Sequence, residues 1–533
     1  MQSHMPGELW TLSASELASR IARGECSALD AVDAHIARID AVNHSLNAVV
    51  YERFELARAE ARGADKARAD GRSAGRFHGV PITVKESLDV AGMPSTYGLC
   101  SRARLIAEHD DPYVARLRAA GAIVLGKTNL SQLMLFIESD NPLYGRTNNP
   151  WNLKRTPGGS SGGQAAIIAA GGSPLGLATD IGGSIRVPAT FCGIAGMKPT
   201  AGRMPEAFGP RIFSGQTAIV SQVGVLARDV SDVILALECI NGGKNPAVEP
   251  PRSLGDPYLL DVSTLRVGYY SRAGWFEPSP AVARAVEEAA GVMHQLGARV
   301  VPFSPPLPDL AEDLFYGILS ADGAKNALEL LGRDKRDKRV SELLRIASKS
   351  RRSINTALTL LKLTRQHGLA KLVNNYGFSD TAHYWKLVEQ QGEYQRRFSE
   401  ALDRAEGGPL DIVLSPACAL PAIPHGESRN LATAGAYAVI YNVLGYPAGI
   451  VPVTRIGPEE QVGRRKSADR MERSALRAEV RSVGLPVGVQ VVARPWREHV
   501  ALAAMLAIES VVKKRPDFPH TPHFAEQNGG PNN

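Results

Sequence analysis

The strongest constraint on the fold is a repeated alternation between short β-branched runs and longer helical patterns. A helix pattern at residues 279–297, for example, separates two such runs. Alternation of this kind is typical of a helix-covered sheet, because a crossover helix commonly joins neighbouring parallel strands. The sequence therefore predicts an α/β fold with a mixed, mostly parallel sheet and strands within residues 78–92, 122–125, 264–270, 298–303, 410–417, 449–454 and 488–493.

Two regions depart from this alternation. Residues 12–50 carry the periodicity of two amphipathic helices, followed by a polar helix pattern over 52–70. Residues 306–400 are mostly helical in pattern and contain no clear strand, which predicts a helical insertion on the sheet core. The predicted parts are N-terminal helices packing on the core, a main domain that includes the insertion 306–400, and a C-terminal tail, at residues 1–75, 76–510 and 511–533.

The positive charge of the chain is concentrated in one segment. The net charge is +7, yet between Arg333 and Lys371 twelve Lys or Arg stand against three Asp or Glu, a local net of +9. The rest of the chain therefore carries −2. No nucleic-acid-binding motif accompanies the basic segment, so we expect no nucleic-acid partner.

Cysteine and apolar patterns place further limits on the class of protein. The five cysteines form no CxxC pair, which argues against a zinc ribbon or a disulfide framework. No run of 18 apolar residues occurs, so we expect no membrane-spanning helix. We expect a cytoplasmic location. Residues 353–373 combine an apolar stripe with flanking cations, which would suit a peripheral membrane surface or an entry for apolar substrates. A solvated helix face is the simpler interpretation of that segment.

Two serine-bearing glycine clusters, GGSSGG and DIGGS, lie close together at residues 158–163 and 180–184. Neither has the lysine of a phosphate-binding loop, the GxGxxG of a dinucleotide fold or the GxSxG of a nucleophile elbow. The alternative is that the second cluster aims consecutive backbone N–H groups at one point, as in an oxyanion hole. A serine there still needs a base. With no histidine nearby, the candidate is Lys85 at a predicted strand end, where burial would disfavour the charged amine.

Four segments together resemble the amidase signature family. They are GVPITVKESLDVAG, GKTNL, TPGGSSGG and GLATDIGGSIRVPATFCGIAGMKPT, in the family's order, and 24 residues separate Ser160 from Ser184 as in the family. The segments NPLYGRTNNPW, VIYNVLGYPAGIVPVT and SVGLPVGVQVVARPWRE are nearer to the branch that acts on fatty-acid amides. The resemblance implies a single large α/β domain, whereas residues 306–400 match poorly.

The resemblance also implies the roles of individual residues. Lys85 matches the family's base, Ser160 its bridging serine and Ser184 its nucleophile, and the peptide bond between Gly159 and Ser160 is expected to be cis. The N–H groups that would hold the oxyanion belong to Ile181, Gly182, Gly183 and Ser184.

Other matching residues have supporting roles in the family. Ser161 would support the proton relay, while Asp180 and Arg186 would hold the loop through polar contacts. Met134 and Leu135 fall where the fatty-acid branch lines its acyl channel, although plain core packing explains them equally well. The resemblance implies neither a metal nor a cofactor.

The resemblance implies a serine hydrolase that cleaves C–N bonds of small amides with apolar groups through an acyl-enzyme. Esters and carbamates (urethanes) present a similar carbonyl and are further candidate substrates, and a homodimer is one option for assembly. One alternative is the glutaminase component of a tRNA-dependent amidotransferase, which the fatty-acid-type match over 437–497 disfavours. Another is a non-catalytic binding protein, which the presence of Lys85, Ser160 and Ser184 disfavours.

Overall fold

A large central sheet organises the protein. The computed structural model describes residues 6–73, 75–205, 212–241, 253–374, 376–461 and 463–522, so residues 523–533 of the predicted tail lie outside it. The strands of the main sheet and of a two-residue hairpin (β4 and β5) are β1 Val49–Glu52, β2 Pro81–Lys85, β3 Ile123–Thr128, β4 Asp140–Asn141, β5 Gly145–Arg146, β6 Leu175–Asp180, β7 Ala195–Lys198, β8 Gln222–Ala227, β9 Arg266–Tyr269, β10 Arg299–Pro302, β11 Ile412–Ser415, β12 Ala448–Arg455 and β13 Pro486–Ala493.

The main sheet has eleven strands in the order β1-β3-β2-β6-β8-β7-β12-β13-β11-β9-β10. The α/β class and the mixed sheet are confirmed, but the expectation of a mostly parallel sheet is wrong. Six of the ten neighbouring pairs are antiparallel, and only the pairs that β2 and β9 make with their neighbours are parallel. Strands covered on both faces appear as continuous apolar runs whatever their direction, so periodicity could not reveal the pairing.

Helices cover the sheet and account for most of the remaining regular structure. They are α1 Ala14–Arg23, α2 Ala28–Leu46, α3 Phe54–Ala69, α4 Pro112–Ala119, α5 Gly162–Ala169, α6 Arg186–Cys192, α7 Val230–Asn241, α8 Pro280–Gln295, α9 Pro308–Leu319, α10 Lys325–Leu331, α11 Lys338–Ala347, α12 Arg351–Leu363, α13 His367–Asn374, α14 Thr381–Asp403, α15 Ala436–Val443, α16 Arg470–Glu479 and α17 Glu498–Val512. None of these described helices has the length and apolar content needed to cross a membrane.

The predicted N-terminal helices form and pack on the core. Ser27 caps α2 in a capping box, in which its hydroxyl accepts the Asp30 N–H and Asp30 accepts the Ser27 N–H. The buried face of α2 includes Val32, Ile36 and Ile39, which belong to the same hydrophobic core as the sheet. The apolar stripe of α2 therefore sets how the N-terminal segment lies on the domain.

The segment 306–400 is helical in its described part and lies over the sheet edge that carries the serine clusters. Its helix α9 packs against α14 and α15. Its helix α11 is tied to the core by Arg339, whose guanidinium lies 2.9 Å from Glu138, 3.0 Å from Asp140 and 2.7 Å from Asp337. A buried guanidinium needs carboxylate partners, so these contacts fix where the helical segment sits.

Candidate active site

A buried lysine contacts the first serine cluster. Lys85 ends β2 and is fully buried, and its Nζ is 2.8 Å from both Ser160 Oγ and Thr179 Oγ1. Thr179 lies on β6, the parallel neighbour of β2, while Ser160 comes just before α5. Because the carboxyl ends of parallel strands meet at one sheet edge, residues far apart in sequence converge here.

The first serine turn is held by close backbone contacts. The Gly159–Ser160 peptide bond is cis, as expected. A Cβ atom on Gly159 would lie 2.4 Å from the carbonyl oxygen of Phe136, so only glycine fits at that position. Ser161 joins the two serine turns, because its N–H donates to the Ser184 carbonyl at 3.3 Å and its hydroxyl donates to the Thr179 carbonyl at 3.4 Å.

The second serine turn is built around a buried ion pair. Asp180 accepts hydrogen bonds from the N–H groups of Gly183 (2.9 Å) and Ile185 (3.1 Å) and from Arg186 Nε (3.0 Å). Both side chains of the pair are fully buried. Burial by itself would raise the pKa of Asp180, but the Arg186 guanidinium outweighs that effect and holds the pKa well below its usual range. The carboxylate therefore stays charged and fixes the loop.

Arg186 links this turn to two other elements. Its guanidinium donates to the carbonyl of Ala438 and to Gln490 Oε1, both at 2.7 Å, and to Asn442 Oδ1 at 2.6 Å. These acceptors lie on α15 and on β13. The arginine is thus a structural tie with its donors directed at fixed acceptors.

Positions 182 and 183 of the second turn each require glycine, for different physical reasons. Gly183 has φ of 106°, a conformation that a side chain would strain. A Cβ on Gly182 would lie 2.6 Å from Cζ of Phe315, which belongs to α9 of the helical segment. The N–H of Gly183 is donated to Asp180, which counts against its predicted part in the oxyanion hole. The remaining predicted donors are the N–H groups of Ile181, Gly182 and Ser184.

Ser184 is partly exposed at the junction of two cavities. The larger cavity, of about 180 Å³, is mostly apolar and reaches from Ser184 under α9 and α11. The smaller, of about 150 Å³, is lined by Ser160, Thr179 and Ser184 together. The structure thus places Ser160 and Ser184 on one cavity wall.

Met134 and Leu135, for which channel lining and core packing were both considered, line the larger cavity, and Met134 lines the smaller one as well. Both side chains are only partly buried. Both also pack against a hydrophobic cluster that includes Leu133 and Leu344, so they contribute to the cavity wall and to core packing.

Sequence reasoning missed several site residues. Thr179 had a usable signal, because it directly precedes Asp180 in the matching segment. Phe315, Tyr316 and Tyr376 had none, since they belong to the segment that matches the family poorly and look like ordinary helix residues. Only the fold brings them to the cavity.

Comparison with known proteins identifies the family of the chain. The sequence profile of the family described as Amidase matches residues 30–502. Fatty-acid amide hydrolase 1 of Sus scrofa is 35% identical over 512 residues, which cover 95% of this chain and 86% of that protein. A glutamyl-tRNA(Gln) amidotransferase subunit of Moorella thermoacetica is 31% identical, with 96% of this chain and 99% of that protein covered. A solved structure of fatty acid amide hydrolase superposes with a TM-score of 0.79 at 24% identity and covers 95% of this chain and 86% of its own.

The fold and the match over most of the chain define an amide hydrolase. The chain belongs to the amidase signature family of amide hydrolases.

Proposed function

We propose that this protein is a serine hydrolase in which Lys85, Ser160 and Ser184 form a proton relay. The observation that carries the proposal is the 2.8 Å contact between Lys85 Nζ and Ser160 Oγ inside a fully buried setting. Burial disfavours a charged amine, and a neutral amine can accept a proton. Ser184, partly exposed on the same cavity wall, is the group that substrate can reach.

The reaction would proceed through an acyl-enzyme. Lys85 takes the Ser160 proton while Ser160 takes the Ser184 proton, and Ser184 Oγ attacks the carbonyl carbon. The N–H groups of Ile181, Gly182 and Ser184 would stabilise the oxyanion. The relay returns its proton to the amine nitrogen as the C–N bond breaks. Water, activated by the same relay, then attacks the acyl-enzyme and releases the acid.

The cavities support substrates with apolar groups. Met134, Leu135 and Phe315 line the larger cavity beside Ser184, so an alkyl or aryl chain would be desolvated there. Esters and carbamates place a comparable carbonyl over Ser184, and we include both as candidate substrates. Cleavage of an amide makes the greatest demand on the relay, because its amine leaving group must be protonated.

The glutaminase component of a tRNA-dependent amidotransferase is the second candidate. The 31% identity to one amidotransferase subunit over nearly its full length favours it. A mostly apolar cavity beside Ser184 counts against it, because the glutamine side chain is short and polar. If the purified chain alone hydrolyses apolar anilides, glutaminase activity is not its only activity.

The assembly and cellular setting also belong to this proposal. We infer a cytoplasmic enzyme, with a homodimer as one option for its assembly. Contact with a membrane would be peripheral and would use α12, where Leu360 and Leu363 are exposed beside Lys362. Sedimentation with anionic phospholipid vesicles tests this contact, and an α12 variant carrying Leu360→Ser and Leu363→Ser should sediment less than the wild type.

A substrate panel tests the function directly. Matched acyl anilides, aryl esters and aryl carbamates of increasing chain length would be offered to the purified chain. We expect hydrolysis of the anilides, covalent labelling by a fluorophosphonate probe, and loss of both with Ser184→Ala. Labelling that persists in Ser184→Ala would contradict the assignment of the nucleophile.

A further inference from the structure

A pair of tyrosines introduces polar groups into the otherwise mostly apolar cavity. Tyr316 lies on α9 and Tyr376 follows α13, and both line the larger cavity together with Ser184. Their ring centroids are 4.7 Å apart. A phenol hydroxyl that is removed from water without a polar partner costs free energy. Two such hydroxyls would therefore be unfavourable in a pocket that binds only apolar groups.

A buried carboxyl group lies behind this pair. Glu312 is one turn before Tyr316 on α9 and is 2% exposed. Its Oε2 accepts a hydrogen bond from Trp275 Nε1 at 3.3 Å, whereas its Oε1 has no hydrogen-bond partner in the part of the chain that the structure describes. Burial raises the pKa of Glu312 to about 8, so the group is mostly protonated near neutral pH. A protonated carboxyl can donate a hydrogen bond, as can each phenol.

The position of the pair relative to the reacting turn follows from a chain of ring contacts. The Phe315 ring packs on the backbone of Gly182, where a Cβ would come within 2.6 Å of its tip. The ring centroids of Phe315 and Tyr316 are 5.3 Å apart. The Phe315 ring therefore lies between the second serine turn and the tyrosine pair. A part of the substrate remote from the scissile bond would lie beside the pair.

The surrounding charges restrict the kind of group that fits. Lys371 lies 2.9 Å from Asp309 Oδ1 and 5.0 Å from the centre of the Trp275 ring. Arg339 and Arg429, which line the same cavity, are paired with Glu138 and Glu342. A charged group would find these counter-charges already engaged, while an uncharged acceptor oxygen would satisfy the phenol donors.

We propose that Tyr316 and Tyr376, with the buried Glu312 behind them, form a polar subsite that binds an uncharged hydrogen-bond acceptor, a carbonyl or ether oxygen, within the apolar part of the substrate. The inference rests on the proposed function and makes it more specific. The preferred substrates would be amides whose chain carries one such oxygen at a fixed distance from the scissile bond. A plain alkyl chain would leave the polar groups unpaired and would bind less well.

A series of nitroanilides tests this subsite. The acyl chains have equal length, and one methylene is replaced by an ether oxygen at each position in turn. We expect the wild-type protein to show the highest kcat/KM at one oxygen position. Tyr316→Phe and Tyr376→Phe should each reduce the ratio of kcat/KM for the preferred oxygen substrate to kcat/KM for the all-carbon substrate by up to about tenfold, which is the usual contribution of one hydrogen bond.

The matched control is Tyr394→Phe. Tyr394 is fully buried on α14, and its hydroxyl has no hydrogen-bond partner among the described residues. Removing that hydroxyl should not change kcat/KM for either the ether-containing or the all-carbon substrates. Glu312→Gln, which keeps the shape and an amide donor, should retain part of the preference.

The outcomes separate this proposal from the proposed function. Failure of the wild-type protein to hydrolyse any anilide would overturn the function, and the subsite with it. Hydrolysis of the all-carbon anilide without a preferred oxygen position would overturn the subsite alone. Equal losses on both substrate classes in the tyrosine variants would show that the pair is structural, and would likewise overturn the subsite.

Discussion

The serine turns and the helical segment 306–400 meet at the same cavity, yet they are built differently. On the serine side, polar groups such as Lys85, Asp180 and Arg186 are buried and held by several hydrogen bonds each. On the helical side, the wall consists mainly of apolar side chains that pack without directional bonds. Under the proposed function, the catalytic groups lie on the side that is fixed by hydrogen bonds, and the side that packs by apolar contacts selects the substrate.

The largest expected effect tests the serine side. Ser160→Ala removes the bridge between Lys85 and Ser184 while leaving both in place, so amide turnover should fall by about 10²–10⁴-fold. Hydrolysis of an anilide by the purified variant measures this. Met134→Leu, on the cavity wall, is the comparison and should stay within about tenfold. Similar losses in the two variants would erase the distinction between the regions.

The buried ion pair should matter more for stability than for substrate choice. Arg186→Met leaves the Asp180 carboxylate buried without its guanidinium, at a cost of about 3–5 kcal/mol in unfolding free energy. Urea unfolding followed by circular dichroism measures the change. The exposed pair between Arg396 and Glu393 is the matched control, and Arg396→Met should change little. A stability close to wild type in Arg186→Met would contradict the assigned structural role.

The contact between Gly182 and Phe315 is where the two regions touch. Gly182→Ala would push a methyl group against the Phe315 ring and should lower kcat/KM by about tenfold, in line with an overpacking cost of ~1–3 kcal/mol. Phe315→Leu added to it should recover part of the loss, because the shorter side chain leaves room. If kcat/KM of the double variant is no higher than that of Gly182→Ala, the loss comes from the second serine turn itself and not from the contact with Phe315.

A further expected effect concerns the pH dependence of stability on the helical side. The pKa of Glu312 is raised by burial from 4.5 to about 8, so the stability associated with its neutral form is complete below pH 4.5. That stability is lost as pH rises through about 8. Glu312→Gln cannot ionise, so its stability relative to wild type should increase between pH 5 and about pH 9. Urea midpoints at both pH values measure this, and parallel pH curves would contradict it.

The sequence predicted these two regions unequally. On the serine side, the family resemblance of the motifs named Lys85, Ser160 and Ser184 and predicted the cis bond before Ser160, which the structure contains. The strand positions were predictable in seven places, while β1, β6, β7 and β8 were missed inside glycine-rich or short segments. The directions of the strands depend on pairing between distant parts of the chain, which local periodicity does not encode.

The helical side was predictable only as far as its helices. The orientation of these helices on the core depends on tertiary contacts such as those of Arg339 with Glu138 and Asp140. Local sequence patterns do not predict such contacts. The same holds for Phe315 and the tyrosine pair, which reach the cavity only because α9 lies across the second serine turn.

The most direct test of the relay compares two leaving groups in one variant. Lys85→Ala would be assayed on an anilide and on an aryl ester with the same acyl chain. Because only the amine leaving group needs a proton returned through Ser160, the account predicts a larger loss of kcat/KM for the anilide than for the ester, by at least about tenfold. Equal losses on the two substrates would contradict a Lys85–Ser160–Ser184 relay.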